Sequence, residues 1–163
     1  MTGSRPLCFL SKLAGILCTL AIYAACSDPE RVFTETLEGF DTFFMLYADL
    51  GRHPRQQKIN RDMVNFLETR RVSLAKGLDA ILRMRAKKPA QFQELYEKNR
   101  AGIVSSFRRL DTIDKREKMI FSVFSLVFAP DDEGFDPAGY PLQRDMLTQY
   151  LEVILLESRS VLM

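Results

Sequence analysis

From residue 28 onward the apolar residues recur at helical intervals. Phe33, Leu37, Phe40, Phe44 and Tyr47 step by four, three, four and three, which places them on one face of a helix. Pro29 suits a first turn with Asp28 before it as cap, and Gly51 suits an end, so the spacing predicts a first helix over about 30–50. A second is predicted over 54–88, carrying Ile59, Met63, Phe66, Leu67, Leu74, Leu78, Ile81 and Leu82. Pro89 disfavours helix at the residue before it and restarts the chain. Gly77 inside this stretch costs about 1 kcal/mol relative to alanine and predicts a kink or a close helix crossing. A third helix over 89–110 aligns Phe92, Leu95, Tyr96, Ile103, Phe107 and Leu110.

A fourth opens at Asp111 or Thr112, both competent caps, and aligns Ile113, Ile120, Phe121, Val123, Phe124, Val127 and Phe128 before the break at Ala129-Pro130. Its second half is apolar nearly all round, which places it in the centre of the fold. After a loop over 130–141, rich in Asp, Gly and Pro, a last helix from about Leu142 turns Met146, Leu147, Tyr150, Leu151, Ile154 and Leu155 inward. No alternating stretch is long enough for a strand, and no repeat recurs. The expected fold class is all-α: about five helices in an antiparallel bundle, forming a single domain over 26–163.

Residues 1–25 read differently. Residues 1–12 carry Arg5 and Lys12 and no acid, and the run 13–25 is apolar. Thirteen residues are too few for the roughly 20 a membrane-spanning helix needs, and they fit the apolar region of a cleaved signal. An uncleaved anchor, with Lys12 snorkelling to the headgroups, is the alternative. The run ends in Tyr23-Ala24-Ala25-Cys26, which resembles the lipobox of bacterial lipoproteins. The resemblance covers residues 1 to about 27 and departs from the family's pattern at Tyr23, where that family usually has Leu or another aliphatic residue. It implies a diacylglyceryl group on the thiol of Cys26, cleavage between Ala25 and Cys26 by a type II signal peptidase, and acylation of the new amino group. Cys26 is therefore the expected lipidation site. In a diderm organism Ser27 after the cysteine implies sorting to the outer membrane. Read as an ordinary secretory signal, Ala21 with Ala24 or Tyr23 with Ala25 would be the small-residue pair, and Cys26 would remain an odd thiol.

Composition narrows the chemistry further. The chain has 163 residues, 47% hydrophobic and 27% charged, the balance of a globular protein. Its three cysteines, Cys8, Cys18 and Cys26, all precede the helical part, and His53 is its one histidine, so thiol ligation, thiol catalysis and a His-rich metal site are excluded beyond residue 26. A net charge of +2 gives no general pull toward nucleic acid. Removing residues 1–25 takes away Arg5 and Lys12 and leaves 21 basic against 21 acidic residues. The charge is nevertheless uneven. Segment 52–88 holds Arg52, Arg55, Lys58, Arg61, Arg70, Arg71, Lys76, Arg83, Arg85, Lys87 and Lys88 against Asp62, Glu68 and Asp79, whereas 26–51 and 111–163 are each acidic by five. The simpler expectation is that the basic helix packs beside the acidic first and last helices and the fields cancel. The functional alternative is contact with anionic lipid headgroups, where each Lys or Arg near the surface contributes about 1 kcal/mol.

The remaining candidates are weak. The loop 131–136 has four carboxylates and a glycine, but Phe135 stands where an EF-hand needs its third ligand, so a solvated turn is expected. His53, between Arg52 and Pro54, reads as a surface residue, and Ser105, Ser106 and Ser122 lack the setting of a nucleophile elbow. Eleven of twelve phenylalanines lie beyond residue 25, which core packing explains and a hydrophobic ligand cavity would also explain. The function these readings imply is a lipid-anchored protein of the bacterial cell envelope whose helical domain binds another envelope protein. No catalytic activity, cofactor, metal or nucleic-acid partner is expected. The alternative is a periplasmic or surface carrier of a lipid or other apolar ligand within the helices.

Overall fold

The computed structural model describes residues 28–111, 113, 122, 124, 125, 127, 128 and 140–163. These are helical throughout apart from short turns, and no strand occurs among the described residues. The four helices are α1, Pro29–Arg52; α2, Gln57–Lys87; α3, Pro89–Leu110; and α4, Tyr140–Ser160. Ser122, Phe124, Ser125, Val127 and Phe128 are helical as well. The expected residues 120, 121 and 123 of the fourth helix, and the loop 130–139, lie outside the described residues.

Local chemistry explains the boundaries. The Asp28 carboxylate accepts from the Glu30 amide at 3.1 Å, satisfying a free amide of the first turn, and Pro29 needs no such partner. Helix α1 runs through Gly51 and ends when the His53 amide donates to the Asp49 carbonyl at 3.0 Å. Helix α2 starts at Gln57 because Pro54 and Arg55 are used in the turn; the Asn60 side-chain amide, almost fully buried, donates to the Pro54 and Gln56 carbonyls at 3.2 and 3.0 Å and ties that turn to the helix. Lys88 closes α2 through its amide to the Met84 carbonyl at 2.7 Å, and Pro89 opens α3 directly afterwards.

Contacts set the directions. Thr36 meets Gly77 and Gly39 meets Leu74, so α1 and α2 run antiparallel. Glu30 pairs with Lys98 and Asp41 with Arg109, so α1 and α3 run parallel. Arg71 pairs with Glu152 and Glu68 with Arg159, so α2 and α4 are antiparallel. The close crossing foreseen at Gly77 is present: a Cβ there would overlap the Thr36 hydroxyl. Basic α2 packs against both α1 and α4, but only α1 is clearly acidic, since α4 holds Asp145, Glu152 and Glu157 against Arg144 and Arg159.

The core is aromatic and shared. Phe33, Phe40, Phe43, Phe44, Phe124 and Phe128 are all at most 1% exposed. Phe124 packs its ring against Phe44 at 5.1 Å, Phe107 at 4.9 Å and Phe128 at 4.7 Å, and Phe128 meets Phe33 edge-on at 5.6 Å. The central position foreseen for the apolar stretch 124–128 is thus found at Phe124, Val127 and Phe128. The inward stripe of α1 is wider than its spacing suggests, since Phe43 and Thr36 are buried with it while Tyr47 stays half-buried. Met146, expected inward, is 40% exposed.

Candidate functional site

Cys26 and residues 1–27 lie outside the described residues, as does the loop 131–136. The basic segment, by contrast, is described completely and can be sorted cation by cation. Arg71 donates through Nε to Glu152 at 2.9 Å, and Arg83 reaches Asp79 one turn earlier at 2.8 Å. Arg85 is buried; it donates to the Val127 carbonyl at 3.1 Å and lies 5.4 Å from the centre of the Phe92 ring, so it fastens α2 to the segment carrying Phe124. The other eight, Arg52, Arg55, Lys58, Arg61, Arg70, Lys76, Lys87 and Lys88, are exposed and have no ion pair with any described residue.

Among the described residues, ion pairs therefore cancel only part of this charge. Three of the five acids of α1 are taken by other partners: Glu30 by Lys98, Asp41 by Arg109 at 2.7 Å, Glu35 by Arg31 at 3.8 Å. Helix α4 uses α2's acids as well as its bases, since Arg144 bonds Asp79 at 3.4 Å and Arg159 bonds Glu68 at 2.6 Å. The neighbouring Asp145, bonded to Arg144 at 2.7 Å, is the main cause holding that guanidinium above its ordinary pKa. The hydrogen bond from Lys98 to Glu30 likewise raises the lysine's pKa. What remains is eight exposed cations spread from Arg52 at the end of α1 to Lys88 at the end of α2.

Among the described residues are two clefts of about 330 Å³ each, one against α2 and one away from it. The first follows the α1–α2 crossing, where the small side chains at Gly39, Gly77 and Ala80 leave an apolar floor with Leu74, and Arg70 and Lys76 stand at the rim. The second lies between α1 and α3, with Arg52, Arg108 and Arg109 around Asp49 and Ser105 above Phe44. Each cleft is lined by a carboxylate as well as by cations, Glu35 in the first and Asp49 in the second.

His53 is an exposed residue of the α1–α2 turn, Ser105 is exposed, and Ser106 is buried with its hydroxyl donating to Asp41 at 3.4 Å. No group of three or more potential metal ligands occurs among the described residues. Among the same residues no helix is long and apolar enough to cross a membrane. Arg85 is the functional-looking residue that charge counting misplaces with the surface cations. Its signal was its spacing: Leu74, Leu78, Ile81 and Arg85 step by four, three and four along the buried face. No family model matches this chain, and neither a curated protein nor a solved structure does.

Proposed function

We propose that the protein is a lipid-anchored component of the bacterial cell envelope, held by acyl chains on Cys26, whose helical domain acts by binding and not by catalysis. The observation that carries this reading is the order of the amino-terminal segment: Arg5 and Lys12, the apolar run 13–25, then Tyr23-Ala24-Ala25-Cys26. Helix α1 beginning at Pro29, with its cap at Asp28, supports it. A lipid on Cys26 would then be joined to the folded domain by a very short tether. The domain is counted as five helices in an antiparallel bundle, the fourth being the helix that carries Phe124 and Phe128; the opening expected at Asp111 or Thr112 is not found there, since Asp111 lies in a turn and Ile113 in a bend. Two or three acyl chains anchor stably where one of myristoyl length binds marginally. The exposed cations of 52–88 that have no ion pair among the described residues add attraction to anionic headgroups, and the outer membrane is the favoured location in a diderm host.

The test is metabolic labelling with palmitate in a bacterial host, comparing the full chain with Cys26→Ala and reading the intact mass of each. Label and an acylated mass on the unsubstituted chain alone are expected. No label, with a mature amino terminus elsewhere or an uncleaved chain, overturns the reading.

A further inference from the structure

Helix α4 buries Leu147, Leu151, Ile154, Leu155 and Ser158 against its own fold. Its opposite side is a second stripe. Met146, Gln149, Val153, Leu156 and Ser160 step by three, four, three and four, the alternation of a coiled-coil seam, and all five are exposed. Met146, Val153 and Leu156 are 40%, 48% and 55% exposed. Val72 of α2, one turn after Glu68, is 56% exposed.

The flanking charges select the occupant. Set two copies of this stripe antiparallel about a two-fold axis between Val153 and Leu156. Val153 of one copy then packs on Leu156 of the other, and Gln149 on Ser160. In that register Glu152 stands opposite Arg159 of the other copy, and the symmetry makes the same pair twice. Both groups have capacity for it. Glu152 already accepts from Arg71, and Arg159 already donates to Glu68, yet their side chains remain 47% and 45% exposed. A carboxylate accepts more than one bond and a guanidinium carries five donors, so each internal pair can extend into a network across the seam. The spacing fits a helix of the same period, and the charges fit this one reversed.

We propose that the outer face of α4 is a self-association surface, on which a second copy of this chain docks antiparallel through Val153 and Leu156 with reciprocal Glu152–Arg159 pairs. The proposal rests on the reading that the domain acts by binding, and needs no anchor. A narrow seam gives a weak dimer in solution, strengthened where tethering to one surface raises the effective concentration.

The experiment is photo-crosslinking in a bacterial host, with a photoreactive amino acid at Leu156 in the full chain and peptide mapping on mixed isotope-labelled copies. A crosslinked dimer mapping to the neighbourhood of Val153 in the other copy is expected. Val153→Asp should lower its yield by about tenfold, the usual cost of an unpaired charge in an interface, while Val104→Asp on α3 should leave it unchanged. The register is tested in trans with two differently tagged copies. Glu152→Arg alone sets arginine against arginine, and Arg159→Glu alone sets glutamate against glutamate, so each disrupts its own dimer. Mixed together they pair correctly, and the heterodimer returns. A crosslink only to a different protein, or singles that lose dimer without recovery on mixing, overturns the proposal. Run in the Cys26→Ala chain, the crosslink should persist in reduced yield. Palmitate label without a crosslink would sink the interface alone, and a crosslink without label would sink the anchor alone.

Discussion

Thr36 and Gly77 show what a single missing methyl does. The Thr36 hydroxyl donates to the Val32 carbonyl at 2.6 Å, which fixes its rotamer, and α2 passes close enough that only a glycine fits opposite it. Gly77→Ala should gain about 1 kcal/mol in helix propensity and lose about 1–3 kcal/mol to overpacking, a net loss seen as a lower urea midpoint at unchanged slope. Gly102 offers the contrast. A Cβ there would meet only the end of the flexible Leu37 side chain, at 3.1 Å, and Gly102 is exposed. Gly102→Ala should therefore be neutral or stabilising by up to about 1 kcal/mol in the same measurement. Spacing alone flagged Gly77 because a glycine inside a helix needs a reason. It could not distinguish a kink from a crossing, since that depends on Thr36 on another helix.

At the scale of elements, the boundaries legible in the sequence were those written in local chemistry. Helix α3 spans Pro89–Leu110, the span expected, because Pro89 fixes one end and Asp111 the other. Helix α2 begins at Gln57 and not at residue 54 because Asn60 draws Pro54 into the turn, an interaction that hydrophobic spacing does not register. Tertiary pairing was less legible still. Charge sums placed acidic α1 as the partner of basic α2, but Glu30 and Asp41 turn to α3. The Lys98–Glu30 bond carries a pH signature. Its raised lysine pKa means that the contribution to stability is complete below the unfolded lysine value, near 10.5, and is lost as pH rises through the folded one. Lys98→Met should abolish that alkaline part of the stability profile, read by thermal unfolding between neutral pH and the alkaline limit. The central role of the 124–128 segment is tested by Phe124→Ala. With its ring against Phe40, Phe44, Phe107 and Phe128, truncation should cost about 3–5 kcal/mol, enough to unfold a marginal domain.

For the whole molecule, the helix directions spread the basic segment from one end of the fold to the other, with Arg70 and Lys76 between. The start of α1, the end of α2 and the start of α3 share one end of the fold, because α1 runs with α3 and against α2. If Cys26 carries the lipid, this is the end beside the membrane, and it holds Lys87 and Lys88. Arg55, Lys58 and Arg61 lie at the other end of a 31-residue helix, roughly 45 Å away at 1.5 Å per residue. Charges feel a surface over a Debye length of about 8 Å at physiological salt, so an upright domain uses only the near group. On vesicles containing anionic lipid, Lys87→Gln with Lys88→Gln should remove about 1 kcal/mol of salt-sensitive attraction per lysine, whereas Arg55→Gln with Lys58→Gln should change nothing. A fluorophore at residue 88 should be quenched by headgroup quenchers, and one at residue 55 should not. Equal effects from both pairs, with quenching at both positions, would mean that α2 lies flat along the surface. In that posture Arg70 and Lys76 at the α1–α2 cleft would meet the headgroups as well.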